Sequence, residues 1–274
     1  ERQNAERKAA QLRRQAEKLG AKATKATAAQ NMARRAEKLL AATEGERAVD
    51  KVAKITFPSP APCGKTPLMA KDLTKNYGSL EVFTGVDLAV DKGSRVVILG
   101  LNGAGKTTLL RLLTGIETPD TGEVVPGHGL KLGYFAQEHD LLDPQASVLQ
   151  NMMQAAPDLN ETEARRVLGG FLFSGDDDHK PAGVLSGGEK TRLALATLVV
   201  SSANVLLLDE PTNNLDPASR KEVLDAIRRY EGAIVLVTHD EGAVEALEPD
   251  RVIVLPDGTE DLWSEDYAEL ISLA

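Results

Sequence analysis

From Leu68 onward, short apolar runs alternate with stretches whose apolar residues recur at helical spacing. Four of the runs have almost no polar residues: Val96–Leu99, Val205–Leu208, Ile234–Val237 and Val252–Leu255. Runs of this kind are typical of strands that are buried on both faces. Their alternation with helices predicts an α/β domain with a largely parallel core sheet over residues 68–274.

The first 40 residues have a different pattern, in which apolar positions step by three and four. Two such stripes occur: Ala5, Ala9, Leu12, Ala16 and Leu19, and then Ala29, Met32 or Ala33, Ala36, and Leu39 or Leu40. Narrow stripes with this spacing are typical of helices that pack as coiled coils. Residues 20–27, between the stripes, include no large apolar side chain. We predict a hairpin arm of two antiparallel helices over residues 1–56, and one long bent helix is the alternative.

A proline-rich stretch separates these two parts of the chain. It contains Pro58, Pro60, Pro62 and Pro67. Proline at this density is incompatible with a helix and favours an extended backbone. We therefore predict a tether over residues 57–67, with a domain boundary there.

Charge is distributed unevenly over the 274 residues, whose net charge is −9. Residues 1–40 carry +7, and the remainder carries −16. A basic arm on an acidic body favours an anionic partner, with RNA first, although a solvated helical face is the alternative. The candidates for RNA contact are Arg13, Arg14, Lys18, Lys22, Lys25, Arg34 and Arg35.

Several classes of protein are excluded by composition. Cys63 is the only cysteine, which rules out an internal disulfide, a multi-cysteine zinc site and a four-cysteine iron–sulfur cluster. No apolar run approaches the roughly 18 residues needed to cross a bilayer, so we expect no direct membrane insertion. Because the chain begins with Glu1 rather than Met, we expect a processed chain or a piece of a longer protein.

Candidate chemistry begins where the first of the four apolar runs ends. Residues 100–107 read GLNGAGKT and fit the phosphate-binding pattern G-x-x-x-x-G-K-[ST], ahead of a helical stretch at Thr108–Leu113. Glycines let backbone N–H groups surround a polyphosphate, and the helix N-terminus adds positive potential. Lys106 would contact the β- and γ-phosphates, and Thr107 would bind Mg²⁺. The predicted nucleotide contacts are Gly100, Asn102, Gly103, Ala104, Gly105, Lys106, Thr107 and Thr108.

Two acidic residues follow another buried strand, in the sequence Leu206-Leu207-Leu208-Asp209-Glu210. Two acids that merely cap a strand at a surface turn are the alternative interpretation. Beside a phosphate loop, the pair favours hydrolysis: Asp209 would hold Mg²⁺ through water, and Glu210 would act as general base toward the attacking water.

A second anion-binding motif opens the helical stretch Lys190–Leu198. It consists of Leu185, Ser186, Gly187, Gly188 and Glu189. Together with the phosphate loop, this LSGGE string resembles the signature of the ATP-binding cassette (ABC) ATPases, and the resemblance covers roughly residues 68–260. It implies ATP and Mg²⁺ as cofactors and ATP hydrolysis as the activity. It also implies an antiparallel β subdomain and a helical signature subdomain beside a parallel core sheet with flanking helices.

The same resemblance suggests roles for four further residues. Tyr77 would stack on adenine, and Gln137 would sense Mg²⁺ and the attacking water. Asp216 would lie in the loop that crosses to the other cassette, and His239 would be the switch histidine that contacts the γ-phosphate. The predicted catalytic set is therefore Glu210, His239 and Lys106, and the predicted metal set is Thr107, Gln137 and Asp209.

ABC ATPases pair two cassettes head to tail, with ATP between the phosphate loop of one and the signature of the other. This sequence has one motif of each kind. The resemblance therefore implies a second cassette as partner, either an N-terminal half of the same protein or another copy.

A basic helical arm and a proline tether directly before a cassette resemble the linker and second cassette of the ABC-F group. The segments that resemble it are Lys18–Lys38, Phe171–Gly188, Leu185–Ala196 and Leu262–Tyr267. The resemblance implies a cytoplasmic protein whose hairpin reaches toward ribosomal RNA and tRNA. It leaves open whether the purpose is translation regulation or antibiotic ribosome protection.

The sequence departs from the ABC-F pattern at two places. Asn214 stands where the group usually has His, and Thr238–Glu241 stands where it often has Ser-His-Asp-Arg. A different function remains as the alternative: the nucleotide-binding ATPase subunit of a membrane ABC transporter.

Overall fold

The computed structural model describes residues 55–136, 141–173 and 175–273. The nine strands in these ranges are β1 Leu68–Tyr77, β2 Leu80–Val90, β3 Arg95–Leu99, β4 Thr121–Pro126, β5 Leu132–Phe135, β6 Val205–Asp209, β7 Ala233–Val237, β8 Arg251–Val254 and β9 Thr259–Leu262. The α-helices in these ranges are α1 Lys106–Thr114, α2 Val148–Ala155, α3 Glu161–Gly170, α4 Gly187–Val200, α5 Pro217–Arg229, α6 Glu241–Leu247 and α7 Ala268–Leu273.

A six-stranded sheet forms the centre of the fold, with strand order β5-β6-β7-β3-β8-β9. Neighbouring strands are parallel except for β8 and β9, which are antiparallel. The four apolar runs correspond to β3, β6, β7 and β8, so the predicted largely parallel core sheet is confirmed. The sheet becomes mixed through β9, whose four residues are all exposed and have no apolar pattern that could have predicted a strand.

Alternate residues of the central strands pack into two different hydrophobic clusters, since successive side chains point to opposite faces. Val96 and Ile98 of β3 join one cluster, with α1 and the antiparallel sheet β2-β1-β4. Val97 and Leu99 join the other, with the helices on the opposite face. The antiparallel β subdomain implied by the resemblance is therefore present, and it covers the face that carries α1.

A helical subdomain is built from α2, α3 and α4. Ser147 and Ser186 each cap a helix through a reciprocal capping box, and Asn160 caps α3 through its side chain. Such caps satisfy backbone N–H groups that a helix start leaves unpaired. The cap at Ser186 fixes the start of α4, where the LSGGE string lies. No helix in the described ranges is long and apolar enough to cross a bilayer.

The segment before Leu68 takes part in the packing of the cassette. Ile55 and Phe57 are buried in the same cluster as the helices, and the Phe57 ring lies edge-on to Tyr230 at a centroid distance of 5.6 Å. The predicted tether, residues 57–67, has no helix or strand. Its first residue nevertheless belongs to the hydrophobic core. The predicted hairpin arm and its seven candidates for RNA contact lie outside the described residues, apart from the last two positions of the arm.

Candidate nucleotide site

The phosphate loop connects the end of β3 to the start of α1, and two of its glycines are required by close packing. Gly105 has a φ of 94°, and a Cβ there would lie 2.4 Å from the Val82 Cγ1 atom on β2. Gly100 has a φ of 153°, and a Cβ there would lie 2.6 Å from the Leu255 carbonyl oxygen. These positions favour glycine because a side chain would be strained and would collide with its neighbours.

Lys106 is the first residue of α1, and its ammonium group folds back over the loop. The Nζ atom donates hydrogen bonds to the carbonyl oxygens of Gly100 at 2.5 Å and Leu101 at 3.3 Å. Burial lowers the pKa of Lys106, while the nearby carboxylates of Glu210 and Asp209 act in the opposite direction. A buried cation is thereby held at the mouth of the loop, where an anionic ligand would neutralise it.

Asp209, the last residue of β6, has an unusual environment for a carboxylate. Its side chain is buried, and neither of its oxygens accepts a hydrogen bond within the part of the chain that the structure describes. Burial raises the pKa of Asp209, while the adjacent Thr107 hydroxyl and Lys106 ammonium lower it. A buried, unsatisfied carboxylate is costly unless a cation or donor satisfies it.

The donor set at Asp209 fits Mg²⁺, which prefers hard oxygen ligands and keeps several waters. The Thr107 hydroxyl would be a direct ligand, and the Asp209 carboxylate would hold the ion through water. Within the described ranges, no group of three or more His, Cys, Asp and Glu side chains forms a metal cage. Gln137, the third predicted metal ligand, lies outside the described residues.

Glu210 follows Asp209 with a left-handed backbone, at a φ of 52°. Its carboxylate Oε2 accepts hydrogen bonds from the Thr238 hydroxyl and the His239 amide, both at 3.3 Å. Burial raises the pKa of Glu210 to about 7. The hydrogen bond from the His239 backbone N–H opposes this rise in pKa, and the negative charge of Asp209 adds to it. A carboxyl group with a pKa near neutrality is suited to accept a proton at physiological pH.

His239 lies just after β7, with its Nε2 atom 3.1 Å from the Oε1 atom of Glu210. Burial and the positive charge of Lys106 lower the pKa of His239. Its imidazole is therefore neutral at pH 7 and can donate one hydrogen bond while accepting another. The structure thus brings together the three predicted catalytic residues, Glu210, His239 and Lys106.

These residues share one pocket of about 310 Å³. Its lining includes the predicted residues Tyr77, Asn102, Gly103, Gly105, Lys106, Thr107, Thr108, Asp209, Glu210 and His239. Gly100 and Ala104 do not line it. Leu80, Val82 and Val237 also line it and were not predicted. They are ordinary apolar residues of strands or strand ends, and no motif in the sequence distinguishes them.

Tyr77 presents a half-exposed aromatic ring at the edge of the pocket. It is the last residue of β1. The Tyr77 hydroxyl donates a hydrogen bond to Glu117 Oε2 at 2.5 Å, and Lys75 Nζ lies 5.3 Å from the ring centroid. These contacts hold the ring in a fixed orientation, so that a planar base could stack on it.

The LSGGE string does not line this pocket. Ser186 caps α4, and its backbone N–H and hydroxyl both donate to Glu189, at 2.8 and 2.6 Å. Leu185 is buried in the hydrophobic core. Gly188 lies against the loop that follows Glu210, since a Cβ on it would be 3.4 Å from the Asn214 carbonyl oxygen. The N-terminus of α4 is therefore separate from the pocket that the structure describes.

Asp216 also caps a helix. Its carboxylate accepts hydrogen bonds from the backbone N–H groups of Ala218 and Ser219 and from the Ser219 hydroxyl. These hydrogen bonds hold the pKa of Asp216 below its usual range. Asp216 is therefore ionised at the exposed start of α5, and no described contact brings it to the pocket.

A phosphate-loop motif and an LSGGE motif at the start of a second helix, on one mixed α/β fold, are the features of an ATP-binding cassette. A family model described as "ABC transporter" matches residues 83–213. A dimeric bacterial ABC transporter cassette superposes with a TM-score of 0.62 at 23% identity, covering 71% of this chain and 98% of that one. A dimeric post-hydrolysis cassette bound to ADP and Pi gives 0.60 at the same identity and coverage. At this identity the likeness shows the fold.

Curated relatives narrow the class further. The probable ATP-binding protein YheS of Escherichia coli K12 is 36% identical over 266 residues, which is 96% of this chain and 41% of YheS. ABC transporter F family member 5 of Arabidopsis thaliana is 35% identical over 216 residues, 78% of this chain and 31% of that protein. The chain belongs to the ABC-F family of ATP-binding cassette ATPases, and it spans about two-fifths of the length of YheS.

Proposed function

We propose that this chain is the ATP-hydrolysing cassette of a cytoplasmic ABC-F protein that acts on the ribosome. ATP would be held between this cassette and a second one, supplied by an N-terminal half of the same protein or by another copy. One observation carries the hydrolytic part of the proposal: Lys106, the unsatisfied Asp209 carboxylate and the near-neutral base Glu210 line the same pocket.

The pocket provides a distinct group for each part of ATP. Tyr77 would stack on the base at the edge of the pocket, where its ring is half-exposed. The Lys106 ammonium would exchange its two carbonyl acceptors for oxygens of the β- and γ-phosphates, gaining a charge-assisted hydrogen bond. Backbone N–H groups at the start of α1 would bind the same phosphates.

Thr107 and Asp209 would hold Mg²⁺, the latter through water. When bound, the ion neutralises charge on the β- and γ-phosphates. The contribution of Asp209 is a fixed negative group inside the protein whose desolvation cost is offset only when a cation arrives. Nucleotide and metal would therefore bind more tightly together than either does alone.

Glu210 would accept a proton from the attacking water. Its carboxylate is oriented by the Thr238 hydroxyl and the His239 amide, which leaves Oε1 directed at the His239 ring. A neutral His239 would donate a hydrogen bond to the γ-phosphate. Together, the base and the hydrogen-bond donor would lower the activation free energy of ATP hydrolysis.

A second cassette is proposed because the signature residues Ser186–Gly188 do not line the pocket of their own chain. The N-terminus of α4 would instead contact the γ-phosphate of the nucleotide in the partner cassette. Two dimeric cassettes among the structural neighbours support this arrangement. The two cassettes would then close when ATP binds and open after hydrolysis.

Action on the ribosome is supported by family membership and by the +7 charge of residues 1–40. The arm would contact phosphates of ribosomal RNA or tRNA, through basic residues such as Lys22 and Lys25. Contacts of this kind release counterions, so that binding weakens steeply as salt rises.

Co-sedimentation of the Glu210→Gln variant with bacterial ribosomes tests the proposal. This variant should bind ATP and remain closed, and it should pellet in Mg-ATP but not in Mg-ADP, more weakly at higher salt. Adding Lys22→Glu and Lys25→Glu should reduce pelleting and leave ATP binding unchanged. The control is the double variant Lys92→Glu and Lys221→Glu. These two cassette lysines are exposed, and their substitution makes the same change in net charge.

Either of two outcomes would contradict the ribosomal part. Equal pelleting in ATP and ADP would show that ribosome binding does not depend on which nucleotide the cassette holds. Loss of pelleting with the Lys92 and Lys221 reversal as large as with the arm reversal would show that net charge alone is responsible. If the protein binds a membrane protein and does not bind ribosomes, the alternative function is favoured, which is the ATPase subunit of a membrane ABC transporter.

A further inference from the structure

A bidentate ion pair joins the first turn of α5 to Asp240, the residue that caps the start of α6. Arg220 on α5 donates from Nε to Asp240 Oδ2 at 2.7 Å and from Nη2 to Asp240 Oδ1 at 2.5 Å. These hydrogen bonds hold the pKa of Asp240 below its usual range. Bidentate arginine–carboxylate pairs fix geometry as well as charge.

Asp240 links this pair to the general base through its own backbone. It follows His239 directly, and its N–H donates to the Thr238 hydroxyl at 3.1 Å. The Thr238 hydroxyl and the His239 amide in turn donate to the Glu210 carboxylate. A displacement of Asp240 would therefore move both donors that orient Glu210.

Arg220 links the pair to the predicted cassette–cassette loop. Its backbone N–H donates to the Asp216 carbonyl oxygen at 2.9 Å, in the turn that the Asp216 carboxylate caps. Asp216 and Arg220 therefore belong to the same hydrogen-bonded helical turn.

The space between the two helix starts is filled by the ion pair. Gly242 lies in the first turn of α6, and a Cβ there would lie 2.8 Å from Arg220 Nη2 and 3.2 Å from Asp240 Oδ1, so that a side chain would require the guanidinium to shift. Gly242 also donates its N–H to Asp240 Oδ1 at 2.9 Å. Tight packing of this kind passes a displacement from one helix to the other.

We propose that Arg220 is a positioning residue that couples the cassette–cassette loop at Asp216 to His239 and Glu210. Contact with a second cassette at Asp216 would shift the start of α5, and the ion pair would carry that shift to the residues that orient the general base. The inference rests on the proposed function, which supplies the second cassette and the hydrolysis. Arg220 does not line the nucleotide pocket, so its effect is on turnover rather than on ATP affinity.

Steady-state hydrolysis by three variants tests this coupling. Arg220→Met should lower kcat about 10-fold and change the KM for ATP by less than about 2-fold. Arg220→Lys keeps the charge but loses the bidentate geometry, and it should lose less than the Met variant. The control is Arg228→Met on the same helix, since Arg228 is half-exposed and pairs only with Asp225 among the ion pairs described for it. It should retain wild-type kinetics.

Hydrogen exchange of the nucleotide-free protein gives a readout that does not depend on hydrolysis. In Arg220→Met, the amides of His239 and Gly242 should exchange faster, while those of β7 should keep their protection. Unchanged exchange at His239, or equal acceleration of all amides including β7, would overturn the inference. An equal change of kcat and KM would do so too. If the wild-type chain shows no turnover without its second cassette, the exchange result alone decides the role of Arg220.

Discussion

The buried Glu210 carboxyl should make the nucleotide-free cassette lose stability as pH rises. Its pKa of about 7 in the folded protein lies well above the ordinary value of 4.5. Below pH 4.5 the group is neutral in both states. Between the two pKa values, Glu210 is ionised in the unfolded chain but stays protonated in the folded one. The free energy of unfolding therefore falls as pH rises, until pH exceeds about 7. A pKa difference of this size corresponds to a loss of about 3 kcal/mol in the free energy of unfolding.

The variant Glu210→Gln removes this effect while keeping the shape of the side chain. Urea unfolding of both proteins, without nucleotide and with EDTA, measures it at pH 5 and pH 8. The advantage of the variant over wild type should grow by ~2–3 kcal/mol between the two pH values. Glu231→Gln, at an exposed residue between α5 and β7, is the matched control and should show no such growth. An advantage that stays constant, or that shrinks as pH rises, would refute the argument.

Three further predictions concern the pocket and the core. Lys106→Ala should weaken ATP binding about 10- to 100-fold by calorimetry, because a charge-assisted contact to phosphate is lost; unchanged affinity would exclude Lys106 from the site. Tyr77→Ala should weaken ATP binding about 5- to 100-fold and Tyr77→Phe much less, since the ring carries the stacking; equal losses would point to the hydroxyl instead. Phe57→Ala should destabilise the cassette by about 3–5 kcal/mol in urea unfolding because Phe57 packs on Tyr230, and a negligible change would mean that this segment is not part of the core.

The parts of the fold that sequence predicted are those with strong local patterns. Completely buried strands such as Val205–Asp209 leave uninterrupted apolar runs, and the phosphate loop has a fixed spacing of glycine and lysine. The edge strand Thr259–Leu262 leaves no such pattern, because its residues are exposed and its backbone pairs with β8 alone in the sheet.

The parts that sequence could not predict depend on contacts between distant residues. Phe57 belongs to a proline-rich segment, and only its packing on Tyr230 reveals it as a core residue. The ion pair between Arg220 and Asp240 joins two ordinary charged residues whose proximity follows from the placement of α5 and α6. The raised pKa of Glu210 arises from burial, which a motif does not report.

Turnover of Mg-ATP by wild type and Glu210→Gln tests the central claim most directly, when it is measured beside equilibrium binding of ATP. Both proteins should bind ATP with similar affinity, whereas the variant should hydrolyse it at least about 100-fold more slowly, because its amide cannot accept the proton of the attacking water. Hydrolysis by the variant at the wild-type rate, or no binding of ATP by either protein, would contradict the account.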